Sequence, residues 1–304
     1  MKRVVFMMIL MVFAVLACAS AQRKSGTLAF GGATRRYTEF VPETHGVAAL
    51  PLIVALHGRT GTGESMADLT GFDALAERED VVMLYPDGLN GEWSYVRGIP
   101  GYPTDLPDDV AFLDRLIEKV SAEVKIDPKR IYVTGFSNGG FMTERLACDA
   151  PKRYAAFASV SAAGFAGMNL VCREGQPIRL LLIHGTADTN IPWLGLTRTV
   201  QGQRVPILYS VSDTLAFWSS YIGCGADLTN TDLPTKNKNS TTEIHLLKFK
   251  RCPKGSALEL YAVSGGGHTW PGRPGLVPEA LAGVTSTDLE ATEAIWTFFA
   301  GAKP

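Results

Sequence analysis

The sequence predicts a layered α/β fold: a mostly parallel central sheet with helices on both faces. Three observations carry this. Short apolar runs recur along the chain, as PLIVALHG (51–58), VVMLYP (81–86), RIYVTGF (130–136), FASVSA (157–162), RLLLIHG (179–185) and LELYAV (258–263). Their apolarity is continuous rather than alternating, which is the pattern of strands covered on both faces. Segments with helical spacing lie between them, and no low-complexity linker or repeat divides the chain.

Each element has its own signal. TLAF and RRYTEFV around Gly31 and Gly32 read as an antiparallel hairpin at a sheet edge. Asp108 and Asp109 open a segment whose Val110, Leu113, Leu116, Ile117, Val120 and Val124 form one amphipathic stripe. NGGFMTERLACDA after the third apolar run is a second helix, and Trp218 and Trp296 fall on later helical stripes. TDLE, from Thr287 to Glu290, has the spacing of a capping box opening a helix through AIWTFF. With 304 residues, 46% of them hydrophobic, the chain can bury one substantial core.

The N-terminus reads as an export leader over residues 1–21, with residues 22–304 as a single catalytic domain. Lys2 and Arg3 precede an apolar run from Val4 to Ala17, and Ala19 and Ala21 supply small residues ahead of Gln22. That run is about 14 residues, short of the roughly 20 that a spanning helix needs. A secreted or periplasmic protein is expected, without a transmembrane segment. Cys18 in VLAC loosely resembles a lipoprotein processing site, so a lipid anchor there is the alternative. Export permits disulfides among Cys148, Cys172, Cys224 and Cys252. Neighbours in sequence, Cys148 with Cys172 and Cys224 with Cys252, are the expected pairs, and buried free thiols the alternative.

A net charge of −1 gives no reason to expect a nucleic-acid partner. No CxxC and no pair of histidines at helical spacing marks a metal site, and no cofactor is expected.

The chemistry gathers at Ser137, within Gly135-Phe136-Ser137-Asn138-Gly139. A G-x-S-x-G alone is weak evidence, since roughly 0.2 chance matches are expected in a chain of this composition. Its placement between a strand and a helix gives it weight. A sharp turn there needs small residues at Gly135 and Gly139 and presents the hydroxyl at a helix N-terminus, where developing negative charge is favoured.

A serine hydroxyl needs a base to become a nucleophile. His45 lies in a polar loop and His245 in the insertion-like TTEIHLLKF. His57 and His184, both in HG at strand ends, are expected to fix loop geometry. His268 follows a late strand and a glycine loop that can carry its imidazole to Ser137. The acid that would hold its tautomer is Asp188, after the strand RLLLIHG, while Asp87 in YPDG has turn chemistry. Ser137, Asp188 and His268 occur in the chain order of α/β-hydrolases.

Taken together, LHGRTGTG, YPDGLNGEW, DDVAFLDRLI, DPKRIYVTGFSNGGFM, HGTADTNIPW and GGGHTWPG resemble the exported polyhydroxybutyrate depolymerase and feruloyl esterase group of α/β-hydrolases. The resemblance implies an esterase with a covalent acyl-serine, the triad Ser137, Asp188 and His268, and an oxyanion hole of two backbone amides. Asn138 supplies one of these. Arg59 supplies the other, with Thr60 as the alternative.

Trp93, Trp193 and Trp270 lie in loops at the same end of the sheet and are candidates for an aromatic substrate wall. No lid-sized apolar insertion and no separate binding module is evident, which favours soluble or oligomeric esters. Hydroxybutyrate esters are the first expectation, feruloyl or acetylxylan esters the second, a peptidase or a non-catalytic binding protein the third. The sequence does not set the oligomeric state.

Overall fold

The computed structural model describes residues 22–302 apart from 44–47, 174, 274 and 276. The expected leader with Cys18, and His45, lie outside the described residues.

In chain order the strands are β1 (Lys24–Phe30), β2 (Ala33–Phe40), β3 (Leu50–Leu56), β4 (Val82–Pro86), β5 (Ile126–Phe136), β6 (Ala156–Val160), β7 (Arg179–Gly185), β8 (Leu196–Val200), β9 (Gln203–Leu208), β10 (Leu228–Asp232), β11 (Glu243–Phe249) and β12 (Ala257–Ser264). The helices are α1 (Gly63–Thr70), α2 (Phe72–Glu79), α3 (Asp109–Glu123), α4 (Asn138–Asp149), α5 (Met168–Val171), α6 (Val211–Ile222), α7 (Glu279–Ala282) and α8 (Ala291–Ala300).

One ten-stranded sheet runs β1-β2-β4-β3-β5-β6-β7-β12-β11-β10. Its centre, from β4 through β12, is parallel, and each of these strands comes from one of the continuous apolar runs. The expected hairpin, β1 with β2, lies antiparallel on the β4 edge. Every residue of β3 is buried, because successive side chains enter opposite layers. Leu52, Val54 and Leu56 pack with Phe112 of α3, Met142 of α4 and Trp218 of α6. Ile53 and Ala55 face Met66 of α1, Phe72 of α2 and Ile295 of α8.

The winding direction fixes where a site can form. From β3 the chain crosses to β4 on one side, then returns past it to β5 on the other. That reversal opens a crevice at the carboxyl ends of β3 and β5, the usual position of a ligand site in an open α/β sheet.

Two sequence expectations are corrected. TDLE does not cap α8: the helix starts at Ala291, and its N-cap, Glu290, makes no side-chain cap bond. The Asp288 carboxylate instead accepts the amides of Lys236 and Asn237 at 2.7 and 3.0 Å, so a tertiary contact takes the group that a local cap would use. The stretch around His245 is no insertion but β11, and β10 and β11 extend the sheet beyond β12. The β8–β9 hairpin had no sequence signal that singled it out. It forms a separate two-stranded sheet whose base is tied to the 164–166 segment through Ala166 N–H to Ile207 C=O at 3.0 Å and Tyr209 N–H to Gly164 C=O at 2.7 Å.

The cysteines pair as expected, Cys148 with Cys172 and Cys224 with Cys252. Among the described residues no helix is long and apolar enough to cross a membrane.

Candidate active site

The turn between β5 and α4 holds Ser137 at φ 55°, ψ −116°, a region that non-glycine residues rarely occupy. The flanking glycines allow it. A Cβ on Gly135 would overlap the Gly139 carbonyl, and one on Gly139 would overlap the Leu56 carbonyl. The surroundings over-determine the strain: Ser137 N–H donates to the Val160 carbonyl at 2.9 Å, and Ser137 C=O accepts the Phe141 amide at 3.0 Å.

His268 reaches Ser137 across the sheet ends. Its Nε2 lies 2.9 Å from Ser137 Oγ and its Nδ1 2.7 Å from Asp188 Oδ2. A carboxylate can only accept, so it keeps the proton on Nδ1 and turns the Nε2 lone pair toward the hydroxyl. Asp188 is 4% exposed, and its other oxygen accepts the amides of Asn190 and Ile191 at 2.9 and 2.8 Å. The Phe136 ring, 5.0 Å from the imidazole, packs against it. Sequence reasoning selected all three residues, and the fold brings all three together.

Two of the remaining described histidines hold loops, as expected. His184 is buried between the carbonyls of Ala162 and Ile191, at 3.1 and 2.9 Å, and burial pushes its pKa down. His57 accepts the Gly88 amide on Nε2 at 2.8 Å and donates from Nδ1 to the Gly58 carbonyl at 2.7 Å, and burial lowers its pKa too. His245 pairs with Asp232 on the exposed edge. Asp87 Oδ1 accepts the Gly63 amide at 2.6 Å, so the carboxylate expected to serve a local turn holds the start of α1 instead.

Two loops flank Ser137. At the start of α4, the amide of Asn138 has no intrahelical acceptor. After β3 come Gly58, Arg59 and Thr60, and a Cβ on Gly58 would sit 3.5 Å from Ser137 Cβ. The Thr60 amide donates to the Gly91 carbonyl at 2.8 Å, whereas the Arg59 side chain points outward to Glu92 at 3.1 Å.

The aromatic wall is corrected at Trp93 and narrowed at Trp270, which lines the cavity beside His268 while its indole N–H turns inward. Trp93 is 2% exposed, with its indole N–H donating to the His57 carbonyl at 3.0 Å. Trp270 is 0% exposed, with its indole N–H donating to Thr292 Oγ1 at 3.0 Å. Both indole donors found internal partners, which draws the rings inside. Trp193 is half-buried against the His184 ring. A cavity of about 270 Å³ does adjoin His268, with Arg59, Met66, Leu69 and Phe136 among its lining residues. Helix α1, whose side chains Met66 and Leu69 form part of that wall, was not read from the sequence. The side chain of Asn138 was missed as well: Oδ1 accepts the Trp93 amide at 2.7 Å and Nδ2 donates to the Trp93 carbonyl at 3.3 Å. An asparagine side chain that mimics a peptide group leaves no sequence signal.

The sheet order, the strained turn after β5 and the loops at the strand ends define an α/β-hydrolase. The fold matches that of an acetyl xylan esterase from Aspergillus awamori, with a TM-score of 0.57 over 81% of this chain and 94% of that one, at 17% identity. Residues 35–172 match the family model described as Esterase PHB depolymerase. Over that stretch, a little under half of its length, the chain is similar to the polyhydroxybutyrate depolymerase family. NocK of Nocardia uniformis subsp. tsuyamanensis, a protein with an esterase name, is 29% identical over 93% of this chain and 84% of its own. Feruloyl esterase B of Piromyces equi is 26% identical over 73% of this chain, which spans 40% of that protein's length. Feruloyl esterase C of Emericella nidulans is 34% identical over 46% of this chain and 50% of its own length.

Proposed function

We propose that this carboxylic ester hydrolase works through an acyl-serine intermediate on Ser137. The observation that carries the reading is the continuous hydrogen-bonded line from Asp188 through His268 to Ser137, at 2.7 and 2.9 Å. Ser137 Oγ attacks the ester carbonyl carbon while His268 Nε2 takes its proton. The oxyanion meets the amides of Asn138 and Arg59. That the Thr60 amide is engaged by Gly91 supports Arg59 over Thr60 as the second donor. The carbon–oxygen bond to the alcohol then breaks, and His268 returns the proton to the departing oxygen. Water, deprotonated by the same imidazole, releases the acid.

The cavity beside His268 suits esters with a compact apolar group, such as hydroxybutyrate oligomers. Feruloyl or acetyl esters of plant cell-wall polysaccharide form a second reading, favoured by the names of the relatives. Turnover of hydroxybutyrate oligomers, methyl ferulate, acetylated xylan and p-nitrophenyl esters ranks these classes. A matched anilide cleaved as fast as its ester would replace the esterase reading with a peptidase. Export through the 1–21 leader belongs to the same proposal and is supported by the two disulfides. Mass measurement of the mature protein's N-terminus distinguishes cleavage before Gln22 from lipid attachment at Cys18.

A further inference from the structure

The two amides assigned to the oxyanion stand on different elements, Asn138 at the start of α4 and Arg59 in the loop after β3. Nothing in either element alone fixes the distance between them. The segment from Gly88 to Arg97, between β4 and α3, bridges the two.

On the α4 side the grip is the two-point bond of the Asn138 side-chain amide to both main-chain groups of Trp93, at 2.7 and 3.3 Å. On the β3 side there are three contacts. The Trp93 indole N–H donates to the His57 carbonyl at 3.0 Å, the Gly88 amide to His57 Nε2 at 2.8 Å, and the Thr60 amide to the Gly91 carbonyl at 2.8 Å. The residues between these contacts, Gly58 and Arg59, therefore have little freedom to move away from Ser137.

The bridge is itself held from behind. Asp109, buried and paired with Arg35 at 2.8 Å, accepts the Ser94 amide at 2.8 Å. Buried Arg145 of α4 donates to the carbonyls of Tyr95 and Arg97 at 2.8 and 2.7 Å. Asn138, Trp93 and His57 are 6%, 2% and 1% exposed, so water does not compete for these bonds.

We infer that the Asn138 side chain and the Trp93 indole are positioning residues, a brace that sets the separation of the Asn138 and Arg59 amides and thereby the fit of the hole to the tetrahedral oxyanion. The inference rests on the acyl-serine reading above. Electrostatic stabilisation of this kind depends on donors placed where charge develops, and a misplacement of about 1 Å can cost about 100-fold in rate.

The test uses Asn138→Ala, which keeps the backbone N–H but removes both side-chain bonds, and Trp93→Phe, which keeps an aromatic ring but removes the indole donor. Active sites are counted by titration with a fluorophosphonate, and turnover of a p-nitrophenyl ester is expressed per titrated site. The expected result is a fall in kcat of about 10- to 100-fold for Asn138→Ala and a smaller fall for Trp93→Phe, with KM changed less than about threefold. Affinity for a boronic acid, whose serine adduct is a tetrahedral anion, should fall by the same factor as kcat/KM. A merely structural role would lower the melting temperature and the titratable fraction while leaving turnover per site unchanged. If Asn138→Ala does not fold, Trp93→Phe alone decides. Turnover per site within twofold of the parent in the folded variants overturns the brace. A parent protein that no fluorophosphonate labels overturns the acyl-serine reading itself.

Discussion

A methyl group on Gly139 would overlap the carbonyl oxygen of Leu56, so the first turn of α4 lies directly against the end of β3. Gly139→Ala must therefore push α4 away from the strand whose following loop carries Arg59. The Arg59 amide then separates from Ser137 and from the Asn138 amide. The expected outcome is a loss of about 1 to 3 kcal/mol of stability and a rate loss of about 100-fold or more. Thermal melts and esterase assays on the same preparation measure both.

Asp188→Asn should preserve the fold and remove the activity. The amides of Asn190 and Ile191 hold the oxygen of the new amide at the Oδ1 position, which places its NH₂ against His268 Nδ1. The imidazole proton is then forced onto Nε2, where it faces Ser137 Oγ and cannot accept from it. A fall in kcat of about 10⁴-fold is expected by analogy with other triads. Ser137→Ala should be at least as inactive with an unchanged melting curve. Substantial ester hydrolysis by either variant would remove its residue from the mechanism.

Glu144 gives the protein a pH dependence unrelated to the triad. Two helical turns beyond Ser137, its carboxyl is fully buried against Ser159 Oγ and Trp218 Nε1, at 3.1 and 3.2 Å. Burial pushes its pKa up to about 7, from 4.5, with the two hydrogen bonds opposing. The folded state therefore holds this proton where the unfolded chain has released it. Its stabilising effect is complete below about pH 4.5, declines as pH rises to about 7, and is gone above that. Across the window the change is up to about 3 kcal/mol. Glu144→Gln should flatten that part of the stability curve, so that the variant gains on the parent between pH 5 and pH 8. Urea titrations at the two pH values test the difference, and equal gains at both would refute the shift.

Cys224 and Cys252 close a 28-residue segment that contains β10 and β11, on the far edge of the sheet from the hairpin β1–β2. Replacing both by alanine should cost about 3 to 4 kcal/mol through the freer unfolded chain. Because the edge lies beyond β12, kcat per titrated site at 25 °C should stay within about twofold of the parent. Denaturant midpoints and active-site titration separate the two effects.

Much of this molecule was legible in its sequence because its strongest signals are local. The parallel strands announce themselves as continuous apolar runs, since both faces of each are covered. Ser137, Asp188 and His268 all follow such runs, so strand ends and chain order were enough to bring them together. What stayed hidden depends on partners distant in sequence. TDLE has a cap's spacing, but Asp288 bonds the chain near Lys236 instead. Trp93 and Trp270 sit in loops at the right end of the sheet, yet their indole N–H groups turn inward to His57 and Thr292. The clamp of Asn138 on Trp93 joins residues 45 apart through one side-chain amide. β10 is short, polar and exposed throughout, and β11 mixes buried and exposed residues, so neither has the apolar continuity of the centre.

The order of the working parts along the chain has a practical side. Arg59, Ser137 and Asn138 all precede Cys172, while Asp188 and His268 both follow Arg179, and the stretch between includes exposed Arg173 and Pro177. A polypeptide split there yields one fragment with the proposed nucleophile and anion cradle and a second with the proposed proton-transfer pair. β6 and β7, which flank the cut, are direct neighbours in the sheet. Fused to two proteins that associate, the fragments would rebuild the β6–β7 seam, and the return of ester cleavage would report that association.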